Sequence, residues 1–514
     1  LSIGGGSLIS ANARGTGDGG EIVLFATDTA SVHGLVSAQG GAYGGDGGFI
    51  ELSGQGRLYV PDLVGQVRLS APLGASGTLL LDPANINVIH GTGGGIMGTT
   101  MTDGALMDVL ANFPVLIWTS DYGVGGDGDI TFAADVNVTW SSPYSLTFQA
   151  DRDLIFLGGA RINATGGGSF TGTAERSVSV GNGASISTAS GTLTLSGNAG
   201  ASTTGQFRGI HLQNNSTISS GTGTITLTGR GGNSILTGNH GIDIESTAVV
   251  SSLGGNIFLD GRAGTATGAA PTQEGALIKG NITNTGNGNI TIAGTGGNGT
   301  FGNLGVHLFD NVLISTVNGD ISITGVSGPG TNSPGIQVAD FGSSTTIITS
   351  TSGDITLSGD AGSGPSEAIT IFGTGASIGG GSGAVELNAT GDLRVYSNAS
   401  VTATGAGTVT LDATRRISLQ GGAAVTGVNG DLSLTANNSG SAIGSFSGID
   451  LDNALIRSDG NGSIFLTGRG GDSGDEQHGV RLRNGADILG GTGGLVSVTG
   501  YGGSSNGLNH QGIL

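Results

Sequence analysis

Two aspartates stand directly after the opening glycine of a recurring phrase, Asp320 in GDISITG and Asp354 in GDITLSG. If each phrase is one layer of a stack, with layers about 4.8 Å apart, the two carboxylates meet across neighbouring layers. Such a pair either holds a hard cation such as Ca2+ or stays in water and accepts turn N–H groups. Asp320 and Asp354 are the candidate metal ligands, although the ordinary expectation is that no metal is bound. A second acidic group, Asp472, Asp475 and Glu476 in GDSGDEQH, reads as a solvated loop suited to contacts rather than catalysis. GGDGG at 44–48 and GGDGD at 125–129 echo glycine–aspartate calcium repeats, but the tandem nonapeptide spacing is missing. His211 and His307 hold matching places in GIHL and GVHL. Repeats without histidine separate them, so they cannot share an ion and are expected to face outward.

The enzymatic chemistry that deserves weighing is cleavage of a polysaccharide. It needs carboxylates or basic side chains converging from adjacent layers, often with calcium, and aromatic rings to stack on sugars. With 6 Tyr, 2 Trp and 17 basic residues among 514, such convergence is poorly supplied. The chain has no nucleophile elbow, phosphate loop or CxxC, so no catalytic residue and no cofactor is assigned. The Asn-x-Ser/Thr triplets at Asn137, Asn215, Asn281 and Asn388 follow from a Thr- and Asn-rich composition.

The elements that must position these residues are set by the phrase itself: a glycine, a polar residue, then aliphatic–polar–aliphatic. Its opening glycines include Gly191, Gly223, Gly255, Gly288, Gly319, Gly353, Gly383, Gly407, Gly430, Gly462 and Gly494, mostly about 32 residues apart. Period-two alternation predicts strands with one apolar face. A fixed period predicts a solenoid, each repeat closing three short strands around a dry core and pairing with the coils on either side. The predicted fold is all-β, a right-handed parallel β-helix, the hand following from the crossover rule. The steps ending at Gly407 and Gly430 are 24 and 23 residues, so the longer coils carry insertions after the third strand. Those insertions, RGGNSILTGNH and RGGDSGDEQH among them, are expected to be solvent-facing loops along one edge. Residues 1–90 read as amino-terminal coils, 91–165 as irregular coils with a helical insertion, and 166–514 as regular repeats, all in one continuous rod. The helix is expected over 102–113, with Asp103 as N-cap, covering part of the rod near an aromatic patch of Trp118 and Trp140.

Composition narrows the partners. The net charge is −20, Lys279 is the only lysine, and there is no cysteine. Nucleic acid and anionic lipid would be repelled, and no apolar run is long enough to span a membrane. No disulfide framework holds the coils. Leu1 is not a start methionine and the last residues match a new first strand, so the chain reads as an interior piece of a longer polypeptide or as a unit that stacks end to end.

ARGTGDGGEIVLFATDTASVHGLVSAQGGAYGGDGGFIELSG, followed by GTLLLDPANINV, resembles the filamentous haemagglutinin-like exoproteins of Gram-negative bacteria. The GRGG and GxIxLTG phrases of the later coils are similar to the shaft repeats of that family. The resemblance implies a large right-handed β-helix exported by two-partner secretion, located outside the cell or at its surface. It also implies adhesive, filament-forming or contact-dependent roles toward host cells, neighbouring cells or matrix. The family's amino-terminal secretion domain is not evident in the chain. The leading expectation is therefore a structural or adhesive segment, a stiff fibre or adhesin shaft. The alternative is a polysaccharide-acting β-helix enzyme. A lattice-matching threonine face is disfavoured, because the slot of Thr226 becomes Phe258, Thr291, Ser322, Thr356 and Glu386 in later repeats.

Overall fold

The computed structural model describes residues 1–120, 126–200, 204–265, 272–342, 344–362 and 367–514. They fall into two compact units, residues 1–203 with 209–228, and residues 204–208 with 229–514. Both are parallel β-helices, and the all-β expectation holds.

In the second unit each coil supplies one strand to each of three parallel sheets. The third strands, such as Ile290–Thr295, Ile321–Val326 and Ile355–Asp360, pair in register with their counterparts one coil away. Alternation then converts directly into columns. Ile257, Ile290, Ile321, Ile355 and Val385 stack as one buried file, and Leu259, Ile292, Ile323, Leu357 and Leu387 as the next. Each such side chain contributes about 1.5–3 kcal/mol by leaving water, a gain that requires a neighbouring coil on both sides. The opening glycines are demanded by close approach. A Cβ on Gly319, Gly353, Gly383 or Gly407 would lie 1.9–2.1 Å from the carbonyl oxygen of the corresponding glycine one coil earlier.

The first unit keeps this plan with two departures: the strand Ile96–Gly98 runs antiparallel to Arg57–Val60 and Thr100–Thr102, and a helix replaces one strand position. Its second-position strands Leu8–Ser10, Leu35–Ser37 and Val67–Arg68 form a short sheet that stops, and the position resumes as strand at Asn137–Trp140. After the single-turn helix α1 (Leu63–Gln66), helix α2 (Asp103–Leu110) occupies the gap and packs against Asn137–Trp140, burying Leu106, Val109 and Leu110. The helix is therefore part of the coil wall rather than a cover over it. Thr102, not Asp103, caps it, its Oγ accepting the Ala105 N–H at 3.1 Å. Asp103 is buried and braces the helix, accepting N–H bonds from Gly91, Gly104 and Asn137. The coils beyond α2 are filled by Phe132, Phe148, Phe156 and Phe170, with Phe132 stacked on Phe156 at 4.7 Å. The two tryptophans do not form one patch: Trp140 is buried, its Nε1 donating to the Tyr144 carbonyl, whereas Trp118 is exposed. Among the described residues no helix is long and apolar enough to cross a membrane.

Candidate functional site

Three insertions of the second unit show a glycine neck, whereas the insertion that holds Ile443 leaves from Ala436. At Gly294, Gly325 or Gly468, the next-to-last residue of a third strand, the chain leaves the coil, and it returns at Gly305, Gly335 or Gly479. A Cβ at the point of departure would sit 2.0–2.2 Å from the returning carbonyl. The register equivalents Ala389 and Ala413 belong to coils that pass straight on to the next first strand, where a methyl group fits. Above the neck a backbone ladder joins insertion to insertion: the N–H groups of Gly264, Gly297, Gly328 and Gly503 donate to the carbonyls of Asn239, Gln273, Asn303 and Gln477.

The side chains at those four carbonyls are fully buried and pin the loops. The Asn303 carboxamide accepts from Gly299 N–H at 3.1 Å and donates to the carbonyls of Gly299 and Pro329. Asn239 donates to the Ser234 and Leu236 carbonyls and accepts from Phe207 N–H. Gln477 accepts from Phe446 N–H at 2.7 Å and donates to Ser445 Oγ. The expectation of solvent-facing loops thus holds for the tips and fails for the returning limbs, which lie buried before each first strand. Parts of two insertions, residues 266–271 and 363–366, lie outside the described residues, as does Gly125 of GGDGD. The tips expose single apolar side chains, Ile235, Leu236, Phe301 and Ile443. The pins were readable as an Asn or Gln two residues before the first-strand glycine, in GNHG, TQEG, GNLG and EQHG.

No family model matches this chain, and no curated protein is similar to it.

The acidic candidates prove to be ties between coils. Asp472 accepts from Gly444 N–H at 2.8 Å and Asp475 from Leu508 N–H at 2.7 Å. Glu476 is exposed, with φ +56°. Asp320 and Asp354 do lie in adjacent coils. Asp320 Oδ1 accepts Asp354 N–H at 2.9 Å, and Asp354 Oδ1 accepts Ala384 N–H at 2.7 Å. Asn256 and Asn289 do the same service earlier in the file, so the turn-capping reading fits the geometry. Among the described residues no group of three or more His, Asp or Glu is arranged to hold a metal.

Returning limbs also bury an ionic cluster against the outer face of the first sheet. Asp243 meets Arg208 Nε at 2.7 Å and Lys279 Nζ at 3.6 Å. Glu274 meets His307 Nδ1 at 2.8 Å, so His307 faces outward but is covered. His240 Nδ1 accepts the Glu274 N–H, which fits a neutral ring, and burial pushes its pKa down. Burial alone would raise the Glu274 carboxyl, but His307, bonded to it, and Lys279 hold it below its ordinary value. Elsewhere arginines are paired with carboxylates from the preceding coil, Arg152 with Asp129, Arg176 with Asp153, Arg415 and Arg416 with Asp392, and Arg481 with Asp450. These pairs serve stacking rather than converging on an open cleft. In the first unit, Asp82 has its carboxyl pushed up to about 6 by burial, with Ser120 Oγ at 3.3 Å as its hydrogen-bond partner.

Proposed function

We propose that this chain is the shaft segment of an extracellular bacterial surface exoprotein of the filamentous haemagglutinin-like kind, a stiff structural or adhesive element with lateral contacts. The observation that carries the reading is the insertion edge. Backbone bonds join the loops at their bases and buried carboxamides pin four of them, yet the tips differ. That division suits recognition by a rigid scaffold, in which the frame is constant and the contact surface varies. The two phrases that carry the family resemblance also fall together, since FIELSG and TLLLDP are neighbouring third strands paired from Phe49–Thr78 to Gly54–Pro83. Export by a two-partner route, and contact with host cells, neighbouring cells or matrix, belong to the same proposal. End-to-end association of copies and continuation of the coils in one longer polypeptide are separated by the mass of the natural chain.

The test is a variant in which Ile235, Leu236, Phe301 and Ile443 are each changed to Ser. Adhesion to cells, and self-association, should fall by about tenfold or more while the melting transition stays in place, because the tips carry no core contacts. Undiminished adhesion by the folded variant would place the contacts elsewhere.

A further inference from the structure

One surface of the second unit is unlike the rest. The chain is only 4 % aromatic, yet four rings form a single file at the end of the first sheet. Phe309, Phe341, Phe372 and Tyr396 come from consecutive coils, with centroids 5.2, 4.8 and 5.1 Å apart. Phe372 and Tyr396 are directly paired in register. In the coil before them Ala339 takes the column position, and Phe341, two residues on, supplies the ring. Phe341 is 59 % exposed and the other three are partly exposed. Isolated exposed apolar side chains are ordinary, but a contiguous file of them marks a contact surface.

The file ends in a polar hollow. Beyond Tyr396 the same column continues as Gln420 and Asp452. Together with Asn453 and Asn484 these residues border an open hollow of about 690 Å³, of which Tyr396 forms one side. The Asp452 carboxylate is oriented by Arg483 at 2.9 Å and Asn484 Nδ2 at 2.6 Å. The carboxamides of Gln420 and Asn453 hydrogen-bond to no other side chain or backbone group among the described residues.

We infer that this strip binds an extended, uncharged glycan, with one sugar against Tyr396 in the hollow and the chain running along Phe372, Phe341 and Phe309. An apolar ring beside an oriented carboxylate and open carboxamide groups matches a sugar, which has a C–H face and a rim of hydroxyls. The strip is one side chain wide and repeats once per coil. A linear polymer of rings suits that shape, whereas a protein partner needs a broad patch of about 800 Å² on each side. Single-stranded nucleic acid would use aromatic rings in a basic groove, and here Arg394, over the Tyr396 ring, and Arg483 are each paired with a carboxylate, Glu367 and Asp452, in a chain of net charge −20. The inference deepens the adhesive reading and rests on it only for the source of the glycan.

The experiment is calorimetric titration of the whole chain with cellohexaose, laminarihexaose and mannohexaose, and with a heparin hexasaccharide as the polyanion. At least one neutral hexasaccharide should bind in the micromolar to millimolar range. Phe341→Ala and Tyr396→Ala should each weaken it about tenfold or more, Tyr396→Trp should retain it, and Phe258→Ala, on the third sheet, should leave it unchanged. Asn453→Gly on the exposed rim, which removes the carboxamide and suits a backbone at φ +50°, should also weaken it and guards against misfolding of the ring variants. Failure of all three neutral sugars to bind, preference for heparin, or unchanged binding by the folded Phe341→Ala/Tyr396→Ala double variant would overturn the inference. Cell adhesion by that double variant separates the two proposals. Adhesion that survives loss of sugar binding removes this strip from the adhesive role but leaves the insertion tips. Sugar binding in a wild-type chain that adheres to nothing leaves the strip and removes the adhesive reading.

Discussion

Replacing Asn303 by Leu should unlock one insertion and leave its coil intact. The side chain is fully buried and makes three hydrogen bonds, so Leu strands the Gly299 N–H, the Gly299 carbonyl and the Pro329 carbonyl. An unpaired buried polar group costs about 1–3 kcal/mol, and water recovers part of that once the loop opens, leaving about 3 kcal/mol in favour of the opened insertion. At 1.4 kcal/mol per factor of ten, that is an increase of about 100-fold in local opening. Hydrogen exchange is the assay. The amides of Gly297 and Gly302, which donate to Gln273 and Thr331, should exchange about 100-fold faster, while the strand Ile290–Thr295 keeps its protection because its partners in both neighbouring coils are untouched. Asn303→Asp keeps the acceptor for Gly299 N–H but turns a carboxylate oxygen toward the Gly299 and Pro329 carbonyls, so at neutral pH it should open the insertion at least as far as Leu does. Unchanged exchange in the insertion, or equal loosening of the strand, would refute the claim that carboxamide pins hold the loops independently of the core.

Other perturbations test other parts of the molecule. Asp82, whose carboxyl is held near 6 against an ordinary 3.8, binds more protons folded than unfolded between those values, so its contribution to stability falls as pH rises through them. Asp82→Asn should therefore raise the melting temperature at pH 7.5, by an amount worth about 1–2 kcal/mol, with the gain fading toward pH 4; an equal gain at both pH values would contradict this. His240 titrates in the opposite sense: its folded pKa lies below 6.5, so the stability it supports is present at pH 7 and is lost as pH falls below the unfolded value. After correction for intrinsic rates, exchange in residues 230–240 should quicken between pH 7 and pH 5 and cease to do so in His240→Gln, despite the nearby Asp243, Glu274, Arg208 and Lys279. Gly325→Ala should be severely destabilising, because its Cβ would lie 2.0 Å from the Gly335 oxygen, whereas Ala389→Gly at the matching position should cost only about 1 kcal/mol; similar melting shifts for the two would dismiss the neck.

The legible part of this fold was the part set by neighbours in sequence. Ile290 and Ile292 alternate with Thr291, and that pattern alone places them inside. The opening glycines announced the period, although their cause, the carbonyl of the coil beneath, is invisible in one repeat. What escaped notice depends on chain segments 24 or more residues apart. Asn239 and Asn303 look like loop residues until the neighbouring insertion closes over them. Helix α2 was visible from Leu106, Val109 and Leu110, but its place in the wall follows from the missing second-position strand, which no local pattern reports. The file of Phe309, Phe341, Phe372 and Tyr396 was hidden by uneven coil lengths, and at Ala339 by a ring that arrives two residues late.

The glycine neck makes its loop an exchangeable part. Its fit is judged by main-chain atoms at Gly294 and Gly305 and by one carboxamide that holds main-chain groups of Gly299 and Pro329, none of which depends on the side chains that the tip displays. A foreign peptide cut in between neck and pin would ask nothing new of the aliphatic files beneath. Recombination between coils can accordingly shuffle tips without renegotiating the core, and a library grafted at several necks would present its members at a spacing dictated by the coils.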